Sequence, residues 1–421
     1  MHAQRFRQTG RRRCCPQQTV AVAQGQASGP RGWDQWQTTA ALLLRAALLW
    51  VPALSGCGDS PERSGPQPVY VFGFEPDTKT YSMRRERLET LESARRIKGA
   101  AAEMRGGGSL LVEQVLVEAL AQDISELSLV QGDAPVRADY TIRDGAIVPR
   151  DWETLVMFSF YRHLETARSF FADLGADANV LRPLQAHFDM RLTSLFVQGT
   201  PLITDNAGYT PIADAFWLFP GYGSTSGVPL PLNRGVVTHE LSHAVKHRAL
   251  HAAGEIPDYV DEEWPNRAAN AYRADDEGLA DFFAAVFTGD PNYIQVSFAE
   301  VTSRNVAQDR QFTQALYEAL SQEQVTFNPY LLGSAFAAWL WDIGADAAER
   351  RQVAEVVLTV LQDFKSQLGS DYELTQLLDA IAAALPTPLA DRACALLDQR
   401  LEGAFRGGDT PDEQKVPTCG I

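Results

Sequence analysis

The amino-acid sequence predicts an α+β fold, with a β-containing N-terminal part and a mainly helical C-terminal part. Three observations support this fold class. The 421 residues are 45% hydrophobic and 21% charged, which is typical of a globular protein and excludes disordered and fibrous classes. Alternation of apolar and polar residues is confined to the first half of the chain, and helical periodicity dominates from Val236 onward. Strands that precede helices along the chain are typical of α+β proteins.

The first 56 residues differ in composition from the rest. They hold seven arginines, no lysine and one acidic residue, Asp34. A short apolar run follows Arg45 and leads into small residues before Cys57. This order predicts a signal peptide over residues 1–56, with translation starting near residues 42–44. The apolar run is too short to span a membrane.

The segment Leu54-Ser55-Gly56-Cys57 resembles the lipobox of bacterial lipoproteins, in which the cysteine thiol is acylated and becomes the new N-terminus. The resemblance implies that Cys57 carries lipid. It also implies that the protein is exported and anchored to the bacterial cell envelope, at the periplasmic face or the outer surface. Residues 57–68 combine this anchor with a Gly-, Ser- and Pro-rich stretch that is typical of a flexible tether.

The charge balance bears on possible partners. The whole chain has a formal charge of −16, and without residues 1–56 it holds 30 basic and 52 acidic residues, a charge near −22. A protein that binds a phosphate backbone needs clustered cations, so the composition argues against nucleic acid as a partner. Anionic lipid headgroups repel such a protein, so we expect membrane contact through the lipid only. We also expect a monomer.

Residues 69–145 show no recognisable chemistry, and their role is unknown. Their patterns predict a strand over residues 68–74 and helices over residues 83–105 and 110–129, with a Gly-rich break between the two helices.

A second set of elements fills residues 146–421. Asp151 is predicted to cap a long helix over Trp152–Leu174, and Gly175 is predicted to end it. The remaining predicted elements are strands at 185–196 and 209–219, a turn at 204–208 between them, and helices at 236–252, 275–288, 308–321, 331–343, 347–367, 371–385 and 388–402.

An HExxH pattern lies inside the first of these helices, at His239-Glu240-Leu-Ser-His243. Residues four apart on a helix lie about 6 Å apart along one face, so the two imidazoles converge on one metal ion. Glu240 lies beside them, where it can act as the general base of a hydrolase. His247 and His251 continue the same spacing and are interpreted as surface histidines.

A third metal ligand has to come from another segment. Glu277 and Asp281 are again four residues apart, on the polar side of an apolar stripe. Glu277 would complete a His₂Glu zinc site with an open fourth position. Asp281 would accept the distal N–H of a ligand imidazole, with His239 as the favoured partner. The rival third ligands are Asp261, Glu262 and Glu263.

These motifs resemble the gluzincin zinc metallopeptidases of the thermolysin and fungalysin type, in which HExxH is followed by a helix bearing (N/D)ExxxD. Asp276-Glu277-Gly-Leu-Ala-Asp281 matches that second motif. The resemblance implies a thermolysin-like two-lobe fold, with an N-terminal lobe over 146–252 and a helical C-terminal lobe over 253–421. It also implies one catalytic Zn²⁺ and the hydrolysis of a peptide or protein substrate, with Glu240 as the general base.

Two further features concern the substrate side of such a site. Asn206-Ala207 resembles the pair on an edge strand that hydrogen-bonds the substrate backbone. Thermolysin-like enzymes stabilise the oxyanion with a His and a Tyr, but no His follows His251 in this chain. Tyr330 is the candidate replacement, and the alternative reading of Tyr330 is a core aromatic residue. The long spacing between the two motifs predicts an inserted loop over residues 254–273.

Two other functions stay open at the level of sequence. One is a non-catalytic surface lipoprotein that keeps the peptidase fold as a binding module. The other is a zinc amidase that acts on a cell-wall amide. The intact Glu240 favours an enzyme over a binding module, because a binding module needs no general base.

Two cysteines remain once the signal peptide and Cys57 are set aside. Cys394 and Cys419 both lie near the C-terminus. Exported proteins fold in an oxidising compartment, so these two residues are predicted to form a disulfide that holds the C-terminal tail.

Overall fold

The computed structural model describes residues 62–75, 78, 80–111, 132–193, 206–211, 213–219, 227–251, 264–299, 301–324, 326–406 and 416–420. The chain divides into two compact units, residues 1–58 and 59–421, and all described residues belong to the second unit. The predicted signal peptide, Cys57 and the rival ligands Asp261 to Glu263 lie outside the described residues.

The predicted α+β class is confirmed. Within the described residues, every strand lies between Gln67 and Phe219, and every α-helix but one follows Asn233. The strands are β1 (Gln67–Glu75), β2 (Thr80–Leu88), β3 (Leu91–Ser93), β4 (Lys98–Gly99), β5 (Ala102–Gly106), β6 (Ser109–Leu111), β7 (Ala134–Pro135), β8 (Tyr140–Arg143), β9 (Ala146–Pro149), β10 (Leu184–Phe188), β11 (Arg191–Thr193), β12 (Asn206–Thr210) and β13 (Ala215–Phe219).

The strands form mixed sheets. A four-stranded sheet has the order β2-β1-β9-β8, with β1 parallel to β9 and its other pairs antiparallel. A larger sheet has the order β12-β13-β10-β5-β4-β3, and β7 also pairs with β5. The β12–β13 pair is antiparallel, and β12 is the last strand at one edge of the described sheet. β6 and β11 form a separate parallel pair.

The helices begin with α1 (Trp152–Asp173) between β9 and β10. Asp151 caps α1 by accepting a hydrogen bond from the Thr154 N–H, as predicted, and Gly175 follows the helix with a φ of 98°. The later helices are α2 (Arg234–Leu250), α3 (Asn266–Thr288), α4 (Gln314–Ala319), α5 (Pro329–Ile343), α6 (Ala347–Asp363), α7 (Leu374–Ala384) and α8 (Thr387–Arg400).

The predicted helix over residues 83–105 is wrong, because this segment forms β2 to β5. β2 pairs along its whole length with β1, from Gln67 opposite Leu88 to Glu75 opposite Thr80. In the described part of the chain β2 lies at the edge of its sheet, and it carries three arginines and one glutamate; charged side chains are common on edge strands. Such a composition favours a helix when the pairing partner is unknown.

Three other local predictions are wrong in part or lie partly outside the described residues. The predicted turn at 204–208 is wrong from Asn206 onward, since Asn206 begins β12. The chain turns instead after β12, where Asp214 adopts a φ of 46°. In the predicted helix over 110–129, residues 110–111 belong to β6, and residues 112–129 lie outside the described residues. α3 begins at Asn266, inside the predicted loop over 254–273.

α3 and α5 touch backbone to backbone. A Cβ atom on Gly278 would lie 2.5 Å from the carbonyl oxygen of Gly333, and a Cβ on Gly333 would lie 2.6 Å from the carbonyl oxygen of Ala274. Only glycine fits at so short a distance. The contact sets the first turns of α5, which carry Tyr330, against the turn of α3 that carries Glu277.

The C-terminal tail is tied to α8. Cys394 and Cys419 form a disulfide, the pair that the sequence predicts. The Thr418 N–H also donates to the side chain of Asp379 on α7. Among the described helices, none combines the length and apolar character that a membrane crossing requires.

Candidate metal centre

The N-terminus of α2 is fixed before the first histidine. Asn233 caps the helix by accepting from the N–H groups of Gly235 and Val236, and its amide donates to the Tyr293 carbonyl and the Ser297 hydroxyl. The ring of Tyr293 packs where a side chain on Gly235 would lie. These contacts lock the register of the helix that carries the HExxH residues.

The structure brings His239, His243 and Glu277 together. The Nε2 atoms of the two histidines are 3.1 Å apart, and Glu277 Oε2 lies 3.3 Å from His239 Nε2 and 3.8 Å from His243 Nε2. Two nitrogens and one carboxylate oxygen therefore form a small triangle that can hold a metal ion.

The size of this triangle fits a transition metal. Tetrahedral zinc binds nitrogen and oxygen at roughly 2.0–2.2 Å, which places neighbouring ligand atoms about 3.3–3.5 Å apart. Glu277 Oε2 is buried and accepts no hydrogen bond from any described residue. A buried carboxylate oxygen without a donor is costly unless a cation satisfies it.

Each ligand histidine has a carboxylate on its distal nitrogen. Asp281 Oδ1 lies 3.1 Å from His239 Nδ1, which is the contact that the sequence predicts. Asp276 Oδ2 lies 2.9 Å from His243 Nδ1. Carboxylates in these positions orient the imidazoles so that both Nε2 atoms face the metal position.

Charged neighbours favour the ionised form of both carboxylates. Burial alone would raise the pKa of Asp276, but His243 and Lys246 hold it well below its usual range. Burial likewise opposes the charge on Asp281, but Arg304 and His239 hold its pKa well below normal.

Arg304 and Tyr293 complete the surroundings of His239. The Arg304 guanidinium binds Asp281 through two hydrogen bonds, at 2.5 Å from Nη2 and 3.1 Å from Nε. Its Nη2 also lies 3.9 Å from Glu277 Oε2. The Tyr293 hydroxyl donates to Asp281 at 2.6 Å.

Glu240 lies in the same cavity and is 8% exposed. Its Oε2 accepts a hydrogen bond of 2.9 Å from the N–H of Tyr209 on β12. Burial raises the pKa of Glu240, although the neighbouring histidines oppose the shift. The carboxyl group is therefore a stronger base than an exposed glutamate.

A cavity of about 390 Å³ opens over these residues. The edge strand β12 contributes Ala207 to its wall, and the start of α5 contributes Tyr330. Tyr330 is 39% exposed, and its ring lies 4.5 Å from the Arg304 guanidinium carbon. Tyr330 is thus a cavity residue and not the core aromatic residue that was the alternative. Asn206 begins the same strand.

The edge strand is fastened to α2. Arg248 on α2 binds both carboxylate oxygens of Asp214, at 2.8 and 3.0 Å. Asp214 also accepts from Arg182 and from the Tyr209 hydroxyl. α2 therefore carries His239 and His243, two of the candidate metal ligands, and its Arg248 holds the turn that follows the neighbouring strand β12.

The last turns of α2 are buried, which corrects the interpretation of His247 as a surface histidine, whereas His251, just beyond the helix, is half-buried. His247 is 7% exposed, and its ring stacks on that of His251 at 5.0 Å. Lys246 is 2% exposed, forms an ion pair with Asp275 and lies 3.6 Å from Asp276 Oδ1.

Sequence patterns did not identify Arg304, Tyr293 or the role of Asp276. Arg304 and Tyr293 follow α3 in segments without a motif, and only the fold brings them to His239.

No protein-family model matches the chain, and no curated protein matches it.

Proposed function

We propose that the protein is a zinc-dependent endopeptidase of the gluzincin type, with a thermolysin-like two-lobe fold. The supporting observation is the triangle of ligand atoms from His239, His243 and Glu277, at 3.1 to 3.8 Å, with Glu240 buried in the same cavity. Two imidazoles and a carboxylate suit zinc, with one position left for a reactant. The proposal also includes export and lipid anchoring through Cys57, for which the support is the lipobox resemblance.

The chemistry divides between the metal and the chain. When bound, Zn²⁺ supplies Lewis-acid activation of water and of the substrate carbonyl. Glu240 takes the proton of the attacking water at Oε1, because its Oε2 accepts from the Tyr209 N–H. Glu240 then delivers this proton to the leaving amine nitrogen.

Other cavity residues orient the substrate. β12 is the edge strand of its sheet within the described part of the chain, so an extended peptide can add to it through backbone hydrogen bonds at Asn206 and Ala207. Tyr330 and Arg304 line the cavity beside the metal ligands, where a phenol and a guanidinium can stabilise an oxyanion. They replace the oxyanion histidine that this sequence lacks.

Glu240→Gln tests the proposal. The wild-type protein is expected to bind one zinc ion and to cleave casein. The variant should keep the zinc and lose activity by about 10²- to 10⁴-fold, because only the proton acceptor is removed. Zinc stoichiometry and cleavage of a peptide library measure both. Zinc without any cleavage by the wild type favours the binding module, and cleavage of a cell-wall amide alone favours the amidase.

A further inference from the structure

Arg273 is a second arginine on the cavity wall. It lies on α3, four residues before Glu277, so it is about 6 Å along the same face of the helix. An extended peptide advances about 3.3–3.6 Å per residue. A group bound at Arg273 is therefore within about two residues of the scissile bond.

The Arg273 guanidinium is anchored on one side. Its Nη1 donates to the Gln324 carbonyl at 2.6 Å and approaches the Asn270 amide oxygen at 3.4 Å. Asn270 is itself fixed, since its amide nitrogen donates to the carbonyls of Leu320 and Gln322. No described residue accepts a hydrogen bond from Nη2 or Nε of Arg273. The N–H groups on the Nη2 and Nε side of this fixed guanidinium can therefore donate to a ligand.

The two cavity arginines differ in their partners. Arg304 is neutralised by two hydrogen bonds to Asp281. Within the described residues, Arg273 contacts only neutral acceptors, although the chain carries 53 acidic residues. A cation on the wall of a cavity that has no acidic partner among the described residues of an acidic protein points to an anionic ligand.

We infer that Arg273 recognises a carboxylate of the peptide substrate next to the scissile bond. The carboxylate belongs either to an acidic side chain or to the C-terminus of the peptide. It would pair with the Nη2 and Nε edge through two parallel hydrogen bonds. This inference rests on the proposed function and names a substrate class for it.

Cleavage of two peptide sets tests the inference. One set has blocked termini and carries Glu, Gln or Lys at each position around the scissile bond. The other has neutral side chains and a free or amidated C-terminus. The wild type is expected to show at least tenfold higher kcat/KM for Glu over Gln at one position, or for the free over the amidated terminus. Arg273→Gln should remove this preference, and Arg273→Glu should reverse it towards Lys or the amide.

Arg351→Gln is the matched control, because Arg351 is a half-exposed arginine on α6 outside the cavity. It should keep the wild-type preference. A preference that survives in Arg273→Glu contradicts the inference, and so does a wild type without any preference.

Peptide binding separates this inference from the proposed function. Fluorescence anisotropy measures the affinity of the same peptides for Glu240→Gln protein, with Arg273 or with Gln at 273. Tenfold tighter binding of the carboxylate peptide that depends on Arg273 supports the inference even if the wild type cleaves nothing, in which case only the proposed function fails. Equal binding within both pairs of peptides, Glu against Gln and free against amidated C-terminus, overturns the inference, and so does the absence of any binding.

Discussion

Two clusters of buried charged groups lie on the same pair of helices, α2 and α3. They differ in how completely their charged and polar atoms are paired with one another. In one cluster, Lys246 pairs with Asp275 and donates to the Tyr272 carbonyl, and the Tyr372 hydroxyl donates to Asp275. In the other, two imidazole nitrogens converge with Glu277 Oε2, and no described residue donates to that oxygen.

The difference indicates that one cluster stabilises the fold and that the other is suited to bind a metal ion. The Lys246 cluster is electrostatically complete, so it joins α2, α3 and the segment before α7 without any ligand. The three ligand atoms of the other cluster can all act as acceptors, and the nearby Arg304 is shared with Asp281, so a metal ion would complete this cluster. The two clusters meet at Asp276, which contacts His243 on one side and Lys246 on the other.

The largest effect is expected from Glu277→Ala, which breaks the ligand cluster. The variant should lose zinc binding, because two imidazoles alone hold the metal poorly. At a zinc concentration of about 1,000 times Kd, the wild type gains about 4 kcal/mol of unfolding free energy, and the variant should gain none. Urea unfolding with and without zinc measures the difference. A zinc-dependent gain equal to that of the wild type would contradict the assignment of Glu277 as a ligand.

Lys246→Met breaks the complete cluster and should behave in the opposite way. It leaves Asp275 buried without its cation, which costs about 3–5 kcal/mol of unfolding free energy. The loss should be the same with and without zinc. Lys246→Met combined with Asp275→Asn should recover part of it, because the uncompensated charge is gone. A double variant less stable than the single variant would disprove the pairing.

Asp281→Asn and Asp276→Asn test the two carboxylates that orient His239 and His243. Asp281→Asn should weaken zinc binding by about 10- to 100-fold, since it loses the carboxylate behind His239 and frees Arg304. Asp276→Asn should weaken it less, because this change releases no arginine into the site and an amide oxygen can still accept from His243. Zinc competition with a chelator measures both. The reverse order would show that Asp276 is the more important support.

His163 is a buried imidazole outside both clusters, and it should give the smallest effect. Burial, then Arg234 and Arg162, lowers the pKa of His163 from 6.5 to about 3. The folded protein therefore keeps His163 neutral, whereas the unfolded chain takes up a proton below about pH 6.5. Stability should fall by up to about 1.4 kcal/mol per pH unit as the pH drops from 6.5 towards 3.

His163→Gln should flatten this part of the pH profile. Urea unfolding at pH 7.5, 6 and 5 compares the two proteins. An unchanged slope in the variant would mean that other groups cause the acid sensitivity.

Local signals carried the successful sequence predictions. Asp151 and Gly175 bracket α1, and the spacing of His239 and His243 places both on one helical face whatever the rest of the chain does. Glu277 and Asp281 were found in the same way, one helical turn apart. Each of these inferences needs only the geometry of a single helix.

Predictions that depended on distant partners failed or were not possible. β2 was read as a helix because its pairing with β1, not its own pattern, makes it a strand. Arg304 is 23 residues beyond Asp281, and nothing in the intervening sequence indicates that the two pair. Arg273 was placed in a loop, since the start of α3 at Asn266 has no side-chain cap.

The contact of Gly278 with Gly333 has a consequence for motion. Two helices that touch through their backbones leave no layer of side chains on which one could slide or tilt over the other. We therefore expect Glu277 and Tyr330 to move together. A widening of the cavity that admits a substrate is then expected at its other walls, one of which is β12, held to α2 by the side chains of Asp214 and Arg248.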